Sequence, residues 1–220
     1  MKRFVIGDIH GRVIALEQCL ERSGFDLDKD MLICLGDVCD RGSFVKESFD
    51  LLLKIENLKY ILGNHDKWFL DWASNRVEDP FWIFNGGKKT IKSYNGTVTD
   101  SHVDLLKKAP LYYVLDNKLF VHAGLNPKKP LDKQTEDDLM WSRNFVRAAL
   151  DDRDSGVKRK LTSYDEVYLG HTPTTNFDKY DKPISINGVW LMDTGAGWDD
   201  KLTIMDIDTK EFWQSDRSGK

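Results

Sequence analysis

No stretch of this 220-residue chain strings together the roughly 18 apolar residues that a membrane-spanning helix needs. Before Gly7 the N-terminus offers only Phe4, Val5 and Ile6, too short for the core of a secretory signal. Cysteine is scarce too. Cys19, Cys34 and Cys39 are odd in number and form no CxxC pair, so a reduced, cytoplasmic protein is expected. Also missing are a Pro- or Ser-rich linker, an internal repeat and a low-complexity tract, which makes residues 1–220 one expected domain. Charge of one sign is not in excess. A net charge of −4 advertises no basic face, so neither nucleic acid nor membrane is the expected partner. No exposed apolar heptad argues for a dimer, and a monomer is the default. What is present is a 40% apolar content with seven tryptophans, enough for a real core.

Short apolar runs alternate with amphipathic stretches. Arg3–Ile6, Met31–Leu35 and Lys59–Leu62 look like buried strands, each ending in a Gly-Asp or Gly-Asn element. After the first, Val13, Leu16, Cys19 and Leu20 recur at helical spacing and stop near Gly24; after the second, Val45, Phe49, Leu52 and Leu53 do the same. Strand, loop, helix, repeated, argues for parallel strands with crossover helices. Asn85-Gly86-Gly87 reads as a turn and Asp104–Ala109 as a short helix stopped by Pro110. Further strands are expected at Leu111–Leu115, Leu119–Val121, Val167–Leu169, Val189–Met192, Leu202–Ile207 and Glu211–Trp213. The polar stretch Asp151–Lys160 reads as a surface loop. The fold class is mixed α/β.

Four of the five histidines sit in Gly-flanked motifs at strand ends: Gly7-Asp8-Ile9-His10-Gly11, Gly63-Asn64-His65-Asp66, His122-Ala123-Gly124 and Gly170-His171-Thr172. Gly36-Asp37-Val38-Cys39-Asp40-Arg41-Gly42 lies between the first two. Strand ends of an open sheet gather at one edge, where ligands bind in α/β folds, so these side chains should converge. Imidazoles, carboxylates and one amide oxygen make a mixed N/O donor set that suits manganese, iron or zinc better than calcium. Six donors fit two ions better than one, and a carboxylate must then bridge them. His102 falls outside every motif, precedes a polar stretch and reads as a surface residue. Cys39 reads as a small filler. Trp68, Trp72 and Trp82 read as core or lid residues.

The ordered series GDIHG, GDVCDRG, GNHD, HAG and GHT, from residue 7 to residue 172, resembles the calcineurin-like metallophosphoesterase superfamily. Within it, the series is most similar to the bacterial and bacteriophage PPP-type serine/threonine phosphatases. Met192-Asp193-Thr194-Gly195-Ala196 resembles a further segment of these proteins. The resemblance implies a central β-sandwich flanked by helices, with a dinuclear metal site at one edge of the sheets. It implies that Asp8 and His10 hold the first ion, that Asp37 bridges, and that Asn64, His122 and His171 hold the second. A bridging hydroxide would attack phosphorus, with His65 as general acid oriented by Asp40. Arg41 and, on a shorter motif, Arg143 would bind phosphate oxygens. Asp40 and Arg41 could instead pair with each other, and Asp193 is read as structural.

Two departures bear on substrate. PPP phosphatases usually carry Arg before GNH and read GNHE, whereas Leu62 and Asp66 stand here. Leu-Gly-Asn-His-Asp, and Asp193-Thr194-Gly195 with Trp198 close behind, are similar instead to symmetrical diadenosine tetraphosphatases. The first expectation is a phosphatase of phosphoserine or phosphothreonine in proteins; the alternative is a dinucleoside polyphosphate hydrolase. A nucleotide or RNA-end phosphatase comes third. A catalytically silent binding module is disfavoured, because every ligand and the His65–Asp40 pair are present. The partner is thus a phosphorylated protein or small phosphorylated substrate, and specificity should lie in the loops 68–87 and 128–159.

Overall fold

Glycine and polar breakers cut the apolar runs into four-residue strands, and the stretches between them wind into helices. The computed structural model describes residues 1–177 and 181–217. In chain order the first half holds β1 Arg3–Ile6, α1 Val13–Ser23, β2 Met31–Cys34, α2 Val45–Leu52, β3 Asn57–Tyr60 and α3 Asn64–Asn75. A single turn, α4 Pro80–Trp82, leads through the irregular segment Ile83–Gly87 into α5 Lys88–Tyr94 and α6 Asp100–Lys108. The second half holds β4 Tyr112–Leu115, β5 Lys118–Val121, α7 Glu136–Met140, α8 Asn144–Asp154, β6 Glu166–Leu169, β7 Ile184–Ile186, β8 Val189–Leu191, β9 Thr203–Asp206 and β10 Phe212–Gln214. No helix among the described residues is long and apolar enough to cross a membrane.

The strands form two five-stranded sheets, ordered β10-β9-β1-β2-β3 and β4-β5-β6-β8-β7. In the first, β1, β2 and β3 are parallel; in the second, β5, β6 and β8 are parallel, and antiparallel strands flank both trios. Val5, Ile33, Phe120, Tyr168, Met192 and Met205 pack the sheets face to face. On the outer side, Phe4, Ile6, Leu32 and Cys34 meet Leu16, Phe49 and Phe69 from the helices. Phe145, Val146 and Ala149 of α8 cover the second sheet. Strands buried on both faces need apolar residues at every position, which is why these runs show no period-two pattern. The fold is the mixed α/β sandwich with flanking helices that was expected.

Local differences have local causes. β3 begins two residues earlier than the apolar run, because the half-polar Asn57-Leu58 already pairs with Met31-Leu32. β7 was not foreseen. Asp151–Lys160 is not all loop, since α8 continues to Asp154 and buries Asp152. The α6 helix starts at Asp100, four residues before its expected start. His102 is not a surface residue. It shares a helix face with Leu106, four residues on, and both are buried. Its Nδ1 lies 2.8 Å from the Tyr94 hydroxyl and its Nε2 3.0 Å from Asp50 Oδ1, joining α2, α5 and α6.

Asp66 faces inward rather than toward any substrate. Its fully buried carboxylate accepts the backbone N–H groups of Asp37 (2.8 Å), Val38 (3.0 Å), Cys39 (3.2 Å) and Gly63 (3.2 Å), and the Tyr60 hydroxyl (2.8 Å). It thereby ties the loop after β2 to the first turn of α3, where a carboxylate also meets the positive end of the helix. Asp66→Ala should leave these donors without an acceptor and cost about 3 kcal/mol or more in urea unfolding. For His102→Ala the expected loss is about 2–4 kcal/mol, from a cavity and two orphaned partners. Burial lowers the His102 pKa below 6.5, against the pull of Asp50. The ring therefore contributes fully above about pH 6.5, and that contribution is lost as pH falls through the lowered value. Melting temperature against pH should accordingly slope less in the variant.

Candidate metal centre

Both parallel trios deliver their carboxyl ends to one edge. Ile6 leads to Asp8 and His10, Cys34 to Asp37, Asp40 and Arg41, and Tyr60 to Asn64 and His65. From the other sheet, Val121 leads to His122, Leu169 to His171 and Leu191 to Asp193. The sheets touch here. The His171 N–H donates to Asp8 (3.0 Å), and His122 Nδ1 lies 2.7 Å from the Leu35 carbonyl.

Asp37 is the hub. Its Oδ2 lies 3.3 Å from His122 Nε2, 3.9 Å from His10 Nε2 and 4.0 Å from His65 Nε2, while Oδ1 accepts the His65 N–H at 2.9 Å. His10 Nε2 is 4.0 Å from Asp8, and Asn64 Oδ1 is 2.9 Å from His122 Nε2. Two sets of donor atoms, each drawn together within 4.8 Å, share this aspartate: His10, Asp37 and His65, and Asp37, His122 and His171. A Cβ on Gly63 would stand 2.2 Å from Asp37 Oδ1, so only glycine lets the carboxylate sit there.

The donor chemistry fits divalent cations. The Nδ1 atoms of His10 and His122 lie 2.6 and 2.7 Å from the carbonyls of Cys39 and Leu35. A carbonyl can only accept, so each Nδ1 carries a proton and each Nε2 is turned toward the site, the orientation that backs a metal-bound imidazole. Burial, reinforced by Arg41 and His65, holds His10 well below the ordinary histidine range. Burial, with His122 and Arg143, drops His171 to about 2. Burial and the neighbouring Asp193 push Asp8 well above the carboxylate range, and burial and Asp37 push Asp193 to about 6. At His122, the opposing effect of burial is outweighed by Asp37 and Asp8, which raise it to about 10. The pocket of carboxylates demands positive charge.

His10, Asp37, Asp40, Arg41 and His171 all have positive φ, between 48° and 72°, although none is glycine. L-residues pay for that conformation sterically, and such strain collects at functional sites. Asp40 is wholly buried. Its carboxylate meets His65 Nδ1 at 2.5 Å and accepts from Thr90 Oγ1 at 2.5 Å and Trp82 Nε1 at 2.9 and 3.0 Å. It does not pair with Arg41. Arg41 lies over the Trp198 ring at 4.3 Å, with Nη1 2.9 Å from His10 Nε2 and Nη2 3.4 Å from His65 Nε2.

A cavity of about 140 Å³ opens over these groups. His10, Asp37, Arg41, Asn64, His65, Arg143 and His171 line it, and Trp68, Phe81, Asn85 and Trp141 form its wall. Every candidate site residue from the sequence thus lies at this edge, Asp8 and His122 beneath the floor. Cys39 is a buried filler whose thiol pKa burial raises, as expected. Thr90, Phe81 and Asn85 were not anticipated, nor was the hydrogen bond from Trp82. For Phe81 and Asn85 the sequence signal was the specificity loop 68–87 with its Asn85-Gly86-Gly87 turn; a threonine inside a helix carries no mark of its partner.

Comparison with known proteins agrees with this fold. The bis(5'-nucleosyl)-tetraphosphatase PrpE [asymmetrical] of Oceanobacillus iheyensis is 25% identical over 236 residues, spanning 96% of this chain and 91% of that protein. A crystal structure provisionally assigned as a diadenosine tetraphosphatase superposes with a TM-score of 0.70 at 19% identity, covering 97% of this chain and 92% of the other. A protein serine/threonine phosphatase from Saccharomyces cerevisiae, described as similar to human phosphatase PP5, superposes with a TM-score of 0.63 at 14% identity, covering 98% and 80%. At those identities the two structures speak for the fold alone. Residues 1–200, which carry every motif and both donor sets, match the calcineurin-like phosphoesterase family, and the chain belongs to that family.

Proposed function

We propose that this chain is a two-metal hydrolase of phosphoanhydrides, acting on dinucleoside tetraphosphates. The observation that carries the reading is a phosphate-sized cleft floored by the Asp37-centred donors and walled by Trp68, Phe81 and Trp141, a surface for a nucleobase. The PrpE relative, named for that substrate class, supports it. A phosphoprotein phosphatase, the first expectation from the motifs, does not need the aromatic wall. Leu62 packs into the core at 8% exposure, so binding of phosphate oxygens falls to Arg41 and Arg143.

Asp8, His10 and Asp37 would hold one divalent ion, and Asp37, Asn64, His122 and His171 the other, manganese being the proposed occupant. Such ions, when bound, supply Lewis acidity toward phosphoryl oxygens and lower the pKa of water. The chain's own side chains do the rest. The Arg41 and Arg143 forks seat the phosphoryl group. As the oxygen of water bonds to phosphorus, the opposite bridging P–O bond breaks. His65 Nε2 hands its proton to the leaving oxygen while Asp40 holds Nδ1, and the proton lost by water leaves to solvent. The Trp68 ring lies 4.9 Å from the His65 ring, edge to face. A base held there is separated from the leaving oxygen by little more than its ribose and one phosphate, which favours asymmetrical cleavage with a nucleoside monophosphate departing. Three buried free thiols suit a reduced, cytoplasmic setting, and a monomer is the proposed state.

Diadenosine tetraphosphate should be hydrolysed with a kcat/KM at least about a hundredfold above that for a phosphothreonine peptide, giving ATP and AMP by chromatography. Two molecules of ADP would instead show symmetrical cleavage, and a peptide preference would sink the substrate assignment. Trp68→Ala should raise KM for the dinucleotide about 5- to 100-fold, the worth of one base stacked on an aromatic ring, and barely alter KM for 4-nitrophenyl phosphate. Asp37→Asn should reduce bound manganese below two ions per chain by elemental analysis and lower turnover at least about a hundredfold.

A further inference from the structure

A buried carboxylate serving one imidazole needs nothing else to fix a tautomer, yet Asp40 has two more donors. Its Oδ1 takes the Thr90 hydroxyl at 2.5 Å, and the Trp82 indole N–H is shared between both oxygens at 3.0 and 2.9 Å. The Thr90 hydroxyl also accepts the Asp40 N–H at 2.9 Å, steadying a residue whose φ is +72°. With these donors made, the carboxylate cannot turn about its terminal bond without losing bonds on both oxygens, and His65 Nδ1 has one place to point.

The indole is itself held. Asp79 caps its turn by accepting from the Phe81 and Trp82 N–H groups at 2.7 and 3.1 Å. Gly87 lies flat against it, because a Cβ there would come within 2.5 Å of Cε2. The same segment, residues 79–87, faces outward as well as inward. Phe81 and Asn85 form part of the cleft wall, the Asn85 amide donates to the Phe81 carbonyl at 2.8 Å, and the Gly86 carbonyl accepts from the Arg41 N–H at 3.4 Å.

We infer that Trp82, with Thr90, is a positioning residue for the proton donor: its indole N–H locks Asp40, and through it aims His65 Nε2 at the leaving oxygen. Because Phe81 and Asn85 share its segment, a substrate seated on that wall also steadies the lock. The inference rests on the proposed role of His65, and concerns where that ring points rather than when it titrates.

Aim and assembly are separated by the leaving group. A departing phenolate of low basicity needs little protonation, whereas a basic one depends on a well-placed donor. The experiment compares kcat and KM of wild type, Trp82→Phe, Thr90→Val, Thr90→Ser and His65→Asn, manganese-loaded, over aryl phosphates from 4-nitrophenyl to phenyl. For Trp82→Phe, kcat on phenyl phosphate should fall about tenfold or more while 4-nitrophenyl phosphate loses less than about twofold, with KM and bound manganese unchanged. Thr90→Val should steepen the series in the same sense, and Thr90→Ser, which keeps the hydroxyl, should restore it. Equal losses across the series in both Trp82→Phe and Thr90→Val, or no loss in either, would overturn the inference. If Trp82→Phe unfolds, the Thr90 pair decides alone. A flat series for His65→Asn would remove His65 as the proton donor, and the inference with it; a steep one beside flat Trp82 and Thr90 variants would overturn the inference alone.

Discussion

One buried carboxylate makes the rest of this edge possible. Asp66 contributes nothing to the cleft, yet its two oxygens gather three successive backbone N–H groups of the loop after β2 and one from the start of α3. Backbone amides of a tight loop must find acceptors when buried, and no strand partner can reach them there. By supplying that acceptor from the neighbouring element, Asp66 lets the loop adopt the left-handed turns at Asp37, Asp40 and Arg41. The hub carboxylate, the buried partner of His65 and a cleft-lining guanidinium all come from those three residues.

Charge is the second constraint. Asp8, Asp37 and Asp193 are buried at the same edge as four imidazoles, and like charges without counter-charge are costly in such a place. The histidines differ in what holds them. His10 and His122 are turned by backbone carbonyls so that Nε2 is offered inward, whereas His65 is turned by a carboxylate.

Much of this was legible in the sequence, and the boundary has physical reasons. β1 and β2 could be read because both faces of each strand are covered, and α1 because its apolar stripe ends at Gly24, whose φ of 63° closes the helix. Residues at strand ends could be placed together before any fold was seen, since parallel strands share one carboxyl edge. What could not be read depends on contacts between distant segments. His102 sits among polar neighbours in sequence, but its helix face meets Tyr94 and Asp50. Asp66, set against a family pattern, looked like a mark of substrate choice; its five donors show that it belongs to the scaffold. Trp82 read as core or lid, and its indole lies at the junction of the two.

The order of the strands has a consequence for how the protein comes into being. β1 lies in the middle of its sheet, flanked by β2 on one side and by β9 on the other, while β9 itself pairs with β10. β2 and β3 follow β1 closely and can be laid beside it early, but the far side of β1 stays open until the chain has reached β9, Thr203–Asp206. His171 and Asp193 also arrive late. Until β9 is in place, the GDIHG and GNHD loops therefore lack part of the scaffold that closes them.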